Sequence, residues 1–299
     1  MRELESFKTL FFGLGAQKAA TSWLHVQLSR HSAVHLPDRK EVHYWDTVRA
    51  PYHQKYRLVA KRALDRPSRV QGLRSKVAGA AGRTQGKEAT AESERYARAL
   101  SGSGETHDDY LDYLRCGAAD ESVLGEITPA YSLLNSRVYG EMFSLHPNVR
   151  FLFVMRDPVD RLVSGLKHQF RTQLDGSGAS HATIARAFDD AVSDVYDPGV
   201  RRSDYATTIA RLEQHVPASN VLYLFYETLF EESSMSAVAE FLGLDGLPFE
   251  QNETVYPGVA VDWEPDQSQR QAARAALQPT YDVVRQRFGT AVPDGWGDA

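Results

Sequence analysis

The sequence predicts an α/β fold: a central parallel sheet flanked by helices. Three observations carry that expectation. Short runs rich in β-branched and aromatic residues are apolar almost without interruption, as strands covered on both faces are. Helical patterns separate these runs, the alternation that builds parallel sheets. The first run ends in a glycine turn that opens directly into a helical pattern.

The four expected strands are 9–15, 123–127, 150–155 and 221–226. Expected helices lie at 21–30, 108–115, 133–145, 159–170, 184–195, 204–215 and 234–242, with a last one over 267–288 interrupted at Pro279. With 299 residues, 42% hydrophobic and 24% charged, the chain has enough material for a core, and collagen-like, low-complexity and wholly disordered classes are excluded. No internal repeat is visible, so residues 1–299 read as one α/β domain with a basic insertion at about 50–105. Between Arg49 and Lys87 stand eleven Lys/Arg against a single acid, Asp65, in a chain whose net charge is −5. A basic strip in an acidic protein points to an anionic partner, or else to a solvated insertion, since Gly79, Gly82 and Gly86 mark a stretch without apolar period.

A lone cysteine, Cys116, forms no internal disulfide and no cysteine-based metal site, which suits a reducing compartment. No apolar stretch approaches the roughly 18 residues of a membrane span, so a cytoplasmic location and no transmembrane segment are expected.

The turn after the first strand reads Gly13-Leu14-Gly15-Ala16-Gln17-Lys18-Ala19-Ala20-Thr21-Ser22-Trp23. A strand, a tight turn and a helix N-terminus together form an anion site, because the first helical N–H groups point outward and the helix dipole favours negative charge. Lys18 adds a full charge, and Thr21 and Ser22 add hydroxyl donors. The Walker A pattern fails, since Lys18 lies between Gln17 and Ala19, and the dinucleotide pattern fails where Lys18 replaces the third glycine. ATP with magnesium and NAD are therefore disfavoured.

A second cradle follows the strand at 150–155. Asp157 is a natural N-cap and Pro158 a natural first helical residue, which leaves Arg156 at the strand's carboxyl edge, where α/β proteins bind ligands. Arg161 and Ser164 share a helix face with Lys167 and His168. Arginine grips phosphate with two parallel bonds and serine adds a hydroxyl; the plainer alternative has Arg156 paired to a carboxylate and Ser164 a packing residue. Two cradles on neighbouring strands suit a ligand with two separated phosphates.

Residues 16–23 resemble the 5′-phosphosulfate loop of the sulfotransferase family, and 156–164 resemble its 3′-phosphate motif, in the same order and at a similar separation. Residues 221–227 resemble a strand segment of that family. The similarity covers 9–46, 122–131, 149–170 and 201–244, and the two motifs are specific together. The resemblance implies a P-loop NTPase-like three-layer sandwich and a donor, 3′-phosphoadenosine 5′-phosphosulfate (PAPS), whose sulfuryl group passes to an acceptor hydroxyl, leaving adenosine 3′,5′-bisphosphate (PAP), with no metal. It implies that Lys18 neutralises the departing bridging oxygen, that Ala19, Ala20, Thr21 and Ser22 hold the 5′-phosphate, and that Arg156 and Ser164 hold the 3′-phosphate. Trp23 matches an aromatic that stacks on adenine, or is a core residue beside Leu24 and Leu28; Tyr205 is placed at the base as well.

Lys40-Glu41-Val42-His43-Tyr44-Trp45 resembles the Glu-Val-His-aromatic segment of the heparan-type carbohydrate branch, where the glutamate is the base. Glu41 is the first candidate base and His43 the second. His25, His31 and His35 lack carboxylates at ligand spacing and are expected at the surface. Residues 125–131 resemble a further segment, Glu-Lys-Thr-Pro-x-Tyr, but Ile127 stands where that branch has lysine. The family's basic loop over the donor is replaced by 255–262, which has no basic residue, leaving Arg270 or Arg274 to substitute. Ala19 and Ala20 replace commoner serine or glycine and fit only if neither position needs positive φ. The acceptor implied is a carbohydrate or another metabolite bearing a hydroxyl, with an anionic character matching the basic strip. A P-loop small-molecule kinase, and a non-catalytic bisphosphate- or nucleic-acid-binding module, are the alternatives; no nucleic-acid motif is present.

Overall fold

The computed structural model describes residues 6–50, 54–65, 87–102, 104–173, 180–247 and 261–296, together with Leu4 and Phe249. Five parallel strands form one sheet: β1 (Thr9–Gly15), β2 (Val34–His35), β3 (Val123–Ile127), β4 (Val149–Met155) and β5 (Val221–Phe225), in the order β2-β3-β1-β4-β5. Every residue of β1 and β3 is buried, Glu126 of β3 included, while β5 at the sheet edge is half-open at Leu222 and Tyr223. The two-residue β2 carries too short a pattern to be read from sequence.

The helices are α1 (Thr21–Ser29), α2 (Trp45–Val48), α3 (Gln54–Asp65), α4 (Lys87–Ser101), α5 (Asp108–Leu114), α6 (Ser136–Phe143), α7 (Pro158–Gln173), α8 (His181–Ser193), α9 (Pro198–Ser203), α10 (Tyr205–Glu213), α11 (Glu232–Leu242) and α12 (Gln267–Phe288). α2, α3 and α4 were not expected from the sequence, and three further helices differ from the expectation. The span 133–145 divides into a 3₁₀ turn, Pro129–Leu133, and α6, because the Asn135 side chain accepts from Val138 N at 3.1 Å and starts the helix afresh. α9 begins at an Asp-Pro pair like that of α7: the Asp197 carboxylate accepts from Gly199 N and Val200 N. α12 continues through Pro279, since Ala273, Leu277, Thr280, Tyr281 and Val284 bury one face and that packing outweighs one missing backbone bond.

The basic region also departs from a solvated insertion. In its described part, Ala60 of α3 and Tyr96, Ala97, Ala99 and Leu100 of α4 are buried in the same apolar cluster as the sheet. Lys55, Lys61 and Arg62 remain outside, exposed on α3. The glycine-rich stretch around 79–86 lies outside the described residues.

β1 lies at the centre, and its direct neighbours β3 and β4 leave it on opposite sides. Three connections therefore open side by side at one sheet end: after β1 at Ala16, after β3 at Thr128 and after β4 at Arg156. Strand order reverses here, the place where open α/β sheets bind ligands. The β1–β3 approach is close: a Cβ on Gly125 would lie 2.3 Å from the Phe11 ring. Gly125→Ala is expected to destabilise by about 1–3 kcal/mol through overpacking, read as a lower urea midpoint with unchanged slope.

Candidate active site

The connection from β1 to α1 places the first cradle. Gly15 has φ 135°, and a Cβ there would lie 2.9 Å from the Pro129 carbonyl oxygen, so glycine alone fits. Lys18 and Ala20 are left-handed, at φ 73° and 57°. Ala20 thus occupies the conformation that its lack of a glycine was expected to exclude, at a cost of about 1–2 kcal/mol. As the residue before α1, Ala20 supplies no side-chain oxygen, and no acid stands in the first turn. The leading N–H groups of α1 therefore have no side-chain cap, which suits an incoming anion. Ala19 and Thr21 are buried beneath the loop, and Ser22 is half-exposed.

β4 ends beside it. Arg156 Nη1 donates to the Lys18 carbonyl at 3.3 Å, and its guanidinium lies 4.5 Å over the Tyr226 ring. Tyr205, expected at the base, is fully buried instead: its hydroxyl donates to Arg156 O at 2.9 Å and accepts from Arg156 N at 3.4 Å, so it sets the arginine's backbone. Burial lowers the Lys18 pKa from its ordinary value, and Arg171, Arg156, Lys40 and Arg161 push it further the same way. Positive charge is concentrated here before any ligand arrives.

Arg156 and Ser164 line a cavity of about 290 Å³ with Asp160, Val163, Lys167, Glu264 and Arg270. Arg270 bridges Asp160 at 3.1 Å and Glu264 at 3.3 Å, and Lys167 pairs with Glu264, so these acids are already matched. Arg270 thus reaches the cavity that Arg156 opens; Arg274 lines an adjoining one of about 190 Å³ with Tyr281. Arg161 does not join the row of donors expected on α7. It is 1% exposed, and it donates to Ser203 Oγ at 2.7 Å and Gly199 O at 2.8 Å, tying α9 to α7. Trp23 is 4% exposed and makes edge contacts with Phe230 and Phe249, at centroid distances of 4.9 and 6.2 Å; of its two readings the structure gives the core residue.

The segment after β2 brings the candidate bases together. Glu41 Oε2 lies 3.3 Å from His43 Nε2, Glu41 Oε1 accepts from Lys40 Nζ at 3.2 Å, and His43 Nδ1 meets Asp46 Oδ2 at 2.7 Å. Burial would raise the Glu41 pKa, but His43 and Lys40 outweigh it and hold the carboxyl at about 2. Burial would likewise strip the proton from His43, yet Asp46 and Glu41 raise it to about 9. The imidazolium is thus clamped between two carboxylates, one buried and one reaching the surface. Tyr56 of α3 stacks on His43 at 4.8 Å.

The sequence reading missed Asp46, Tyr56 and Arg171. Asp46 stands three residues after His43, a spacing that was readable; Tyr56 and Arg171 arrive through tertiary packing. Arg171 Nη2 meets His168 Nδ1 at 2.9 Å on α7. His25, His31 and His35, expected at the surface, are not fully exposed. His25 and His35 are half-buried, and burial followed by Lys40 takes His25 down to about 4. His31 pairs with Asp245 at 3.0 Å. Of the segment 255–262, which stands where a basic loop was expected, all but Val261 and Asp262 lie outside the described residues.

The profile of the Sulfotransferase family matches residues 11–249, spanning both cradles. The chain belongs to the sulfotransferase family. A sulfotransferase from Alicyclobacillus acidocaldarius shares its fold with a TM-score of 0.60 at 19% identity, over 96% of this chain and 98% of that one. The sulfotransferase domain of the Synechococcus PCC 7002 olefin synthase superposes with a TM-score of 0.51 at 15% identity, over 90% and 94%. Among curated proteins none matches. In this sulfotransferase, no helix of the described residues is long and apolar enough to cross a membrane, and no group of three or more metal-ligating side chains occurs among them.

The His43 clamp has a pH signature. Its folded pKa lies above the ordinary 6.5, so its stabilisation is complete below 6.5 and is lost as pH rises through about 9. Melting curves across that range should fall more steeply for the wild type than for Asp46→Asn; parallel curves would show that no such clamp exists.

Proposed function

We propose that this sulfotransferase uses PAPS as donor and transfers its sulfuryl group to a hydroxyl of an anionic acceptor, a carbohydrate or another metabolite, by in-line displacement. The observation that carries the reading is the contact between Arg156 and Lys18, which joins the cradles of two adjacent strands into one cationic cleft. Lys18 and the first N–H groups of α1, with Thr21 and Ser22, would hold the 5′-phosphosulfate. Arg156 and Ser164 would hold the 3′-phosphate, the group that distinguishes this donor from ordinary adenylates.

In the reaction the bond from sulfur to the bridging phosphate oxygen breaks while a bond forms from sulfur to the acceptor oxygen. The transition state is loose, so the protein's work is positioning and charge stabilisation. Lys18 balances charge growing on the departing oxygen. Glu41, ionised and 41% exposed, accepts the acceptor's proton, while His43 keeps its own proton and, with Asp46, orients the carboxylate. An anionic acceptor is supported by Lys40 and Arg171 beside Lys18 and by the exposed Lys55, Lys61 and Arg62 of α3, the helix whose Tyr56 covers His43.

Arg156→Ala is expected to weaken PAP binding about tenfold or more while leaving AMP within roughly twofold, by calorimetry. Equal losses would remove the 3′-phosphate assignment. Lys18→Ala should lower turnover at least about a hundredfold. Glu41→Gln should cut turnover on a similar scale with PAP affinity nearly intact, and unchanged turnover would dismiss it as the base. The pH profile separates the two candidates: with Glu41 as base, the rate falls as His43 loses its proton near 9, whereas a rate rising through that value makes His43 the base.

A further inference from the structure

The segment 125–131 takes no part in the donor or acceptor contacts above, yet it holds a second fully buried acid beside the site, after Asp46. Glu126 is 1% exposed, in the middle of the sheet opposite Phe12. Its Oε1 accepts from the hydroxyls of Tyr110, on α5, and Tyr131, the latter at 3.0 Å; its Oε2 accepts from Thr128 Oγ1 at 2.7 Å. A carboxylate offers lone pairs only, so all three hydroxyl hydrogens are turned toward it.

That commitment has an outward consequence. With its hydrogen spent, each hydroxyl presents only lone pairs to its other neighbours, and all those neighbours belong to the segment carrying the candidate base. Thr128 Oγ1 accepts from Val42 N at 3.0 Å. Tyr131 Oη accepts from Tyr44 N at 3.0 Å and Trp45 N at 3.4 Å, and Tyr110 Oη accepts from Trp45 Nε1 at 3.2 Å. The anchored groups lie on both sides of His43, which is itself held left-handed at φ 57°. A backbone in that region persists only where its surroundings hold it.

We infer that Glu126 is a positioning residue for the transfer: by orienting three hydroxyls it anchors the backbone at Val42, Tyr44 and Trp45 and so sets where Glu41 and His43 stand. The inference rests on the proposed role of Glu41 and His43. Burial raises the Glu126 carboxyl to about 7 despite its three donors, and the charge of Asp46 adds to the push. Above that value the carboxyl is ionised and takes hydrogens from all three hydroxyls.

The test combines a readout of the loop with one of the chemistry. In Glu126→Gln, amide exchange at Val42, Tyr44 and Trp45 should quicken by about tenfold or more, and kcat should fall by about the same factor, while PAP affinity stays within roughly twofold. Tyr131→Phe should quicken exchange at Tyr44 and Trp45 but spare Val42, a pattern that general destabilisation would not produce. Tyr110→Phe, which frees no backbone N–H, should have the smallest effect on exchange. Unchanged exchange at these three amides in Glu126→Gln overturns the inference, as does a loss of PAP binding equal to the loss of kcat. Should Glu126→Gln not fold, the contrast between Tyr131→Phe and Tyr110→Phe decides: equal exchange patterns in the two overturn it. If exchange responds as stated while Glu41→Gln and His43→Gln leave turnover intact, the anchoring stands and the base assignment fails, so the two are distinguished.

Discussion

Two parallel strands that end side by side, each followed by a helix, place a lysine and an arginine within one hydrogen bond of each other. Everything at the site depends on that constraint. The bond from the Arg156 guanidinium to the Lys18 carbonyl is geometrically modest, at 3.3 Å, but it ties together two residues whose charges repel. They are kept together by the sheet below, by the Tyr205 hydroxyl that fixes Arg156 from both sides, and by the left-handed turn ending at Ala20. The fold bears this electrostatic cost ahead of binding, and an anion with two separated phosphates would relieve it.

The candidate base is organised on the opposite principle. Around Lys18 the neighbouring charges that shift its proton are alike, all four of them cations; around His43 they alternate, Lys40–Glu41–His43–Asp46, each within hydrogen-bond or ion-pair reach of the next. Such a chain holds protons at defined atoms, and its backbone is anchored to the buried Glu126 through Thr128 and Tyr131. The connections after β1 and β4 thus form the two cationic cradles, while the one after β3 holds the segment with the candidate base. Their adjacency follows from the sheet order alone.

Much of this was legible in the chain. All four long strands were readable because buried parallel strands are largely apolar, and α7 because Asp157 and Pro158 announce it. Lys18, Arg156, Glu41 and His43 stood out because each lies at a strand end or in a short, chemically distinctive segment. Other features were illegible for particular reasons. Trp23 is apolar and aromatic, and whether it packs against Phe230 or against a ligand is decided by residues more than two hundred positions away. Tyr205 was placed at the base by the resemblance, and nothing local reveals that its hydroxyl reaches Arg156. The insertion looked solvated because the burial of Ala60 and Tyr96 depends on helices that meet only in the folded chain.

By itself the sequence determined the alternation of strands and helices, the chemistry at each strand end and the sign of the charge gathered there, because these depend on local periodicity and residue type. Only the tertiary structure decided that Arg156 meets Lys18, that Arg161 turns inward to hold α9, and that Glu126 anchors the His43 segment. Those outcomes depend on which strands are neighbours and on competition for buried hydrogen-bond partners, and both are settled only when distant segments pack together.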